Sequence, residues 1–221
     1  MSNWHFRAKA AAAKQMIGDI KPWAIWDIGA GGGEFSAYMV RAGIVPGALC
    51  IDTAYSERPF SRGALYFSRP EKVETRPNGM TLVMMLDVLE HVEDDLGFLR
   101  EYRPLPGGYM LVSAPAFMRL WSDHDEACGH YRRYRLQDLE HLLGLAGMEV
   151  LRGRYLFTGP LLLAPLARWQ RAGPSVDRGG AKHLPWLLDR LAGAACAVER
   201  RLVFPWNRTA GLTAMVLARR G

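Results

Sequence analysis

The feature that most restricts how this 221-residue chain can fold is the run Asp27-Ile28-Gly29-Ala30-Gly31-Gly32-Gly33, which follows directly on the apolar stretch Ala24–Ile28. A short apolar run of this kind reads as a strand, and Glu34–Ala42 behind it reads as a helix with Gly43 placed to stop it. Glycines between a strand and a helix adopt positive φ and let the backbone come close to a ligand, where a Cβ would intrude. The segment is therefore a strand–turn–helix cradle, and the chain around it is expected to be an α/β sheet protein.

The remaining sequence repeats that alternation. A leading Ala-rich helix is expected over Met1–Gly18, and strands over Ala48–Ile51, Ala64–Phe67, Thr81–Leu86, Tyr109–Ala114, Met148–Phe157 and Leu212–Ala218. Thr81–Leu86 is the clearest of these, a continuous apolar run of the kind buried on both faces. Helices are expected over Val92–Tyr102 and Leu136–Ala146, with a polar, aromatic-rich loop over Phe117–Arg135. Thr158–Asn207 reads as a long insertion with two helices. Within it, Pro185–Phe204 carries Leu187, Leu188, Leu191, Ala195 and Val198 at helical spacing, a pattern read as core. One domain, residues 1–221, accounts for the whole.

Composition narrows the class further. The chain is 49% hydrophobic and 23% charged, ordinary for a globular protein, and no signal-peptide-length apolar run occurs in Met1–Lys14. Cys50, Cys128 and Cys196 are odd in number and far apart, which argues against a disulfide framework and a zinc cluster and points to a reducing, cytoplasmic setting. Residues 1–110 hold 12 Lys and Arg against 13 Asp and Glu, whereas residues 111–221 hold 16 against 9. The basic half suits a phosphate-bearing substrate, a membrane surface or a nucleic acid, or is simply a solvated face.

The glycine pattern distinguishes between ligands. A dinucleotide fingerprint, Gly-x-Gly-x-x-Gly, would need its third glycine at Glu34, where an acid repels a pyrophosphate. Asp52 ends the second apolar run, where a βαβ unit presents a carboxylate to two ribose hydroxyls. With Asp27 and glycines at 29, 31 and 33, the turn resembles the first motif of class I S-adenosylmethionine-dependent methyltransferases, and Leu86-Asp87-Val88-Leu89-Glu90-His91-Val92 resembles the fourth motif of their bacterial small-molecule branch. The resemblance implies S-adenosylmethionine as cofactor. It also implies a Rossmann-like, seven-stranded, mostly parallel sheet with helices on both faces, the last strand inserted antiparallel beside the fifth. Cofactor contacts are expected from Asp27, Gly29, Ala30, Gly31, Asp52, Thr53, Leu86, Asp87 and Val88. The chain departs from the family in the adenine region, where Ser68, Glu71, Glu74 and Asn78 do not match the usual acid.

Two constellations lie on the acceptor side. Asp87, Glu90 and His91 resemble a set that some related methyltransferases use for a divalent cation, but the reading taken is that Glu90 and His91 cap and pack the next helix, so no metal ligand is assigned. The stretch Trp121–Tyr134 packs two histidines, three carboxylates, two arginines and three aromatics into 14 residues, and resembles a Trp-Ser-x-His-Asp…Gly-His-x-Arg-Arg-Tyr segment in a bacterial subset of the family. His124 and His130 are the candidate bases. His91, Trp121, Arg132, Arg133 and Tyr134 are the candidate acceptor contacts, the alternative being that the ion pairs only latch the loop.

The expected function is methyl transfer to oxygen or nitrogen of a small-molecule acceptor, anionic or lipid-linked. The alternatives are a non-catalytic S-adenosylmethionine-binding module and a nucleic-acid methyltransferase. The latter is disfavoured because Asp87-Val88-Leu89-Glu90 is not an Asn/Asp-Pro-Pro-Tyr-type base-holding motif. A monomer or homodimer is expected. The apolar cluster Leu156–Leu166, flanked by Arg152, Arg154, Arg168 and Arg171, is read as a lid, a dimer face or a peripheral contact at the inner membrane face.

Overall fold

The computed structural model describes residues 4–73, 77, 80–161 and 186–221. Eight strands form one sheet: β1 Ala24–Ile28, β2 Ala48–Ile51, β3 Phe60–Arg62, β4 Leu65–Ser68, β5 Thr81–Leu86, β6 Tyr109–Pro115, β7 Glu149–Leu156 and β8 Thr213–Arg219. Their order across the sheet is β3-β4-β2-β1-β5-β6-β8-β7. The central pairings β4/β2, β2/β1, β1/β5 and β5/β6 are parallel. β8 lies antiparallel between β6 and β7, with Val112 opposite Val216, so the last strand does insert beside the fifth expected one. The count is eight rather than seven because Phe60-Ser61-Arg62, exposed throughout, folds back antiparallel on β4. Nothing in three exposed residues marks such an edge strand.

The helices are α1 Trp4–Ile17, α2 Glu34–Arg41, α3 Asp95–Glu101, α4 Asp123–Ala127, α5 Leu136–Leu145 and α6 Trp186–Leu202. Successive side chains of a strand point to opposite faces. Leu82, Met84 and Leu86 of β5 accordingly join a core with Ala12, Met16 and Ile17 of α1 and Met39 of α2. Val83 and Met85 face the other way, against Leu99 of α3 and Leu136, Leu139 and Leu143 of α5. With both faces covered, all six residues of β5 are buried, which explains why its sequence is a continuous apolar run.

Two expectations are corrected. The polar stretch before α5 contains a short helix, α4, started by a capping box in which the Ser122 hydroxyl serves the helix end and the Asp125 carboxylate accepts from the Ser122 N–H. In α6 the buried residues are Cys196 and Glu199, while Leu187, Leu188, Leu191 and Val198 are exposed. Helical spacing shows that these residues share a face; it does not show that the face is covered. Of the apolar stretch Leu156–Leu166, residues 162–166 lie outside the described residues, as do Arg168, Arg171, Glu74 and Asn78. Among the described residues, no helix is long and apolar enough to cross a membrane.

Candidate active site

From β1 the chain runs to β2 on one side and the sheet continues to β5 on the other, which makes the carboxyl ends of β1 and β5 a topological switch point. The glycine turn sits there. Gly29, Gly31 and Gly33 take φ of 69°, 54° and 76°, in the left-handed region that a Cβ disfavours. The turn is tied to β2 by the N–H groups of Gly29 and Ala30, which donate to the Ile51 carbonyl at 2.8 and 3.2 Å. At Gly29 an added Cβ would stand 2.6 Å from Val88 Cγ2, so the β1 and β5 turns are in direct contact. At Gly31 no atom lies within 4 Å of that position, and the turn faces open space.

Asp52 frames this space. One carboxylate oxygen accepts from the Gly31 N–H at 2.9 Å and the other from the Ala54 N–H at 2.9 Å, and each keeps a further lone pair for a hydroxyl donor. Tyr55 donates its hydroxyl to the Gly31 carbonyl at 2.6 Å and braces the turn from the same side. Thr53 is exposed beside Asp52 and Leu86 is buried at the β5 tip. Asp27 is buried under the turn, where it accepts from the Ser36 hydroxyl at 2.7 Å. Burial pushes its carboxyl up to about 7 against the lowering effect of Ser36, and the Asp52 and Glu34 carboxylates add to the rise. Through Ser36 it anchors α2 to β1.

Asp87 holds the β5 tip with φ of 59°, a conformation that non-glycine residues seldom adopt and that marks functional turns. Its carboxylate pairs with Lys9, which is itself buried on α1. Sequence reasoning missed Lys9, although a signal exists: Lys9 falls on the same helical face as Ala12, Ala13 and Met16, all of them buried.

The acceptor-side loop is organised by one residue. Asp125 is fully buried and accepts from the Ser122 N–H and hydroxyl, from His130 Nδ1 at 2.9 Å, and from Arg133 Nε and Nη2 at 2.8 and 2.7 Å. Burial alone would raise its pKa; the hydrogen bonds from Arg133, Ser122 and His130 outweigh that and hold it well below the ordinary carboxylate range. Arg132 pairs with Asp95 at 2.7 Å and donates to the Glu93 carbonyl, and the buried Tyr134 donates its hydroxyl to the same Asp95 carboxylate at 2.8 Å. Both arginines are thus committed to carboxylates of the chain itself, the latch arrangement. Trp121 Nε1 donates to Glu126 at 3.3 Å, and His124 is exposed against the Cys128 thiol.

The latch brings His130 against the turn that follows β5. The Tyr131 N–H donates to the Glu90 carbonyl at 2.7 Å, and the rings of His91 and His130 meet edge to face with centroids 4.5 Å apart. Partial burial and the neighbouring His130 imidazole lower the His91 pKa. Burial and the adjacent Asp87 carboxylate raise that of Glu90. The structure therefore gathers Glu90, His91 and His130 into one polar group next to the glycine cradle and leaves His124 on the outer side of the loop.

A family model described as a methyltransferase domain matches residues 4–152. No curated protein matches the sequence. Among solved structures, an S-adenosylmethionine-dependent methyltransferase from Archaeoglobus fulgidus is similar over 97% of this chain and 94% of its own, at 16% identity and a TM-score of 0.59. A Haloferax volcanii protein solved in complex with the Trm112 methyltransferase activator covers 97% and 89%, at 13% identity and 0.59. Haemonchus contortus phosphoethanolamine N-methyltransferase 2, solved with S-adenosyl-L-methionine, covers 97% of this chain and 52% of its own, at 13% identity and 0.57.

Proposed function

Because the chain belongs to the methyltransferase-domain family and is an S-adenosylmethionine-dependent methyltransferase, we propose that it delivers the methyl group to an oxygen or nitrogen of a small-molecule acceptor. The residues present fit the cofactor. The open space over Gly31 is what a Cβ would fill, Asp52 keeps lone pairs for vicinal hydroxyls, and the acids around the turn suit a cationic ligand rather than a phosphate. Gly29, Ala30, Gly31, Asp52 and Thr53 would hold the cofactor from the β1 and β2 side, and Leu86, Asp87 and Val88 from the β5 side. When bound, S-adenosylmethionine supplies a methyl already activated by a positive sulfur.

What the chain adds is position and exclusion of water. The observation that carries the small-molecule reading is the burial of Glu90 and His130 beside the cradle, with His91 exposed at their edge. Glu90 is 1% exposed and the His130 side chain 9%. The exposed His91 leaves one side open along which a hydroxyl or amine can approach them. His130, with Nδ1 held by Asp125, presents Nε2 to the acceptor and is the residue this reading favours over His124. Arg132 and Arg133 recognise an anion only by exchanging an internal carboxylate for it.

The exposed apolar face of α6, with Trp186, Leu187, Leu188 and Leu191, favours a lipid-linked acceptor met at a membrane surface as the second reading. Incubation of the full chain with methyl-labelled cofactor and cell extract, followed by separation into aqueous small molecules, lipids, protein and nucleic acid, tests both. Label in the aqueous small molecules supports the first reading and label in the lipid fraction the second. Label confined to protein or nucleic acid overturns both.

A further inference from the structure

We propose that α6, with the groove it forms against α1, docks on the surface of an anionic phospholipid bilayer. The shape of the helix, the placement of its charges and the groove beside it together select this occupant.

α6 is 17 residues long, about 25 Å. Cys196 and Glu199 mark its buried side. On the opposite side Leu187, Leu191, Ala195, Val198 and Leu202 follow one another at helical spacing, and all are exposed. Trp186 and Trp206, 72% and 83% exposed, stand at the two ends of this stripe. Single exposed apolar residues are ordinary on a surface, but a stripe that runs the length of a helix marks an interaction face. Tryptophan favours a boundary that is apolar on one side and wet on the other, as the edge of a bilayer is.

The charges select lipid over a second copy of the chain. The acids of α6 are Asp189 and Glu199, and both are turned inward. Asp189 accepts from the Trp4 N–H and pairs with Arg7, while Glu199 accepts from the N–H groups of Thr158 and Gly159. Arg190 and Arg201 are exposed beside the stripe, and no acid pairs with either among the described residues. The outer side of the helix is therefore apolar and cationic. A second copy docked on the same stripe about a two-fold axis would bring these arginines together without a counter-charge. A negatively charged lipid surface neutralises them.

The groove between α6 and α1 has a volume of about 270 Å³ and is lined by the small residues Ala8, Ala11 and Ala197 and by Arg7, Arg190 and Arg200. It offers guanidinium groups to lipid phosphates next to the stripe that enters the hydrocarbon. α1 also connects this face with the cradle: it is held to α6 through Trp4 and Arg7, and to the β5 tip through Lys9 and Asp87. Docking thus holds the active site at the lipid surface. Its use to meet a lipid-linked acceptor rests on the second reading above, whereas docking itself does not.

Flotation of the full chain with vesicles tests the face, using phosphatidylcholine alone and phosphatidylcholine mixed in equal parts with phosphatidylglycerol. Binding is expected to the mixed vesicles and only weakly to the neutral ones. Leu191→Glu and Val198→Glu should each lower it about 10- to 100-fold. Arg190→Ser and Arg201→Ser should each lower it about fivefold, an effect that shrinks at high salt. Trp186→Ala provides the comparison should either glutamate variant fail to fold. Wild type that does not float with the mixed vesicles, that floats equally with neutral ones, or that the substitutions leave unchanged would overturn the proposal. A wild-type dimer that Leu191→Glu dissociates, without vesicle binding, gives the face to a second copy and overturns it too. The labelling experiment above separates the two readings. Label in aqueous small molecules from a chain that floats removes the lipid-linked acceptor and keeps the docking, and label in lipid from a chain that does not float removes the docking alone.

Discussion

The cofactor side and the acceptor side of this site are assembled from different materials. Around Gly29–Gly33 the geometry is set by backbone: positive-φ glycines, two N–H groups on the Ile51 carbonyl, and close contact of Gly29 with Val88. Around Trp121–Tyr134 it is set by side chains that converge on one buried carboxylate, with five donor contacts on Asp125. A backbone cradle gives way one residue at a time and in proportion to the volume added. A network with a single hub fails as a unit, because every donor loses its partner together. The two halves therefore differ in what a single substitution does to them.

The largest effect expected is that of Asp125→Ala. It strands the Arg133 guanidinium, His130 Nδ1 and the α4 N-terminus in a buried setting, and removal of one partner from such a group typically costs about 3–5 kcal/mol. Denaturant unfolding should show that loss, and acceptor turnover should fall with it. A loss under about 1 kcal/mol would mean that the loop has other anchors and that the hub description is wrong.

Asp27 tests the other half through pH. Its carboxyl is raised from 3.8 to about 7 by burial, so the folded state prefers it protonated. The stabilisation is complete below the unfolded value of 3.8 and is lost as pH rises through about 7. A rise of that size corresponds to a loss on the order of 4 kcal/mol across the window. Asp27→Asn should remove that slope, so the difference in unfolding free energy between the two proteins should change steadily from pH 4 to pH 7. A constant difference would place Asp27 in contact with solvent. The depressed carboxyl of Asp125 acts in the opposite sense, and its stabilisation is lost only as pH falls below the ordinary carboxylate range.

Gly31→Leu separates cradle from fold most directly. The position faces open space, so the only folding penalty is φ of 54° in a residue with a Cβ, about 1–2 kcal/mol. Cofactor affinity should fall about 100-fold, or about 2.7 kcal/mol, since the side chain enters the ligand's volume. Calorimetry that finds affinity unchanged would move the cofactor away from the turn.

The same contrast explains what could be read from sequence. Glycines and continuous apolar runs report backbone and burial directly, so the cradle and all seven expected strands were legible; β3, with three exposed residues, left no such trace. The acceptor side depends on which acid of Asp123-His124-Asp125-Glu126 turns inward, and local spacing does not decide that. The capping box at Ser122 does, and it emerges only once α4 is recognised. The meeting of His130 with Glu90 and His91 was illegible for a related reason. It joins positions 39 or more residues apart, through a loop whose local sequence suits an acceptor site and a latch equally. The exposed leucines of α6 reverse the usual inference from periodicity, because spacing specifies a shared face and not its neighbour.

The smallest effect concerns whether a latch residue also touches the acceptor, and Arg132 decides it. Its pair with Asp95 is half-buried, with side-chain exposures of 32% and 15%, so Arg132→Met should cost no more than about 1 kcal/mol in stability. Tyr134 still donates to Asp95, which keeps that carboxylate partnered. If Arg132 is only a latch, the small stability loss should come with an unchanged KM for the acceptor and an unchanged cofactor affinity. If it also binds an anionic group, KM for the acceptor should rise well beyond what so small a loss explains. Steady-state kinetics with the acceptor found by labelling, set beside urea unfolding of the same variant, distinguish the two. A raised KM would mean that the acceptor half, like the cofactor half, reads its ligand with groups the fold already holds in place.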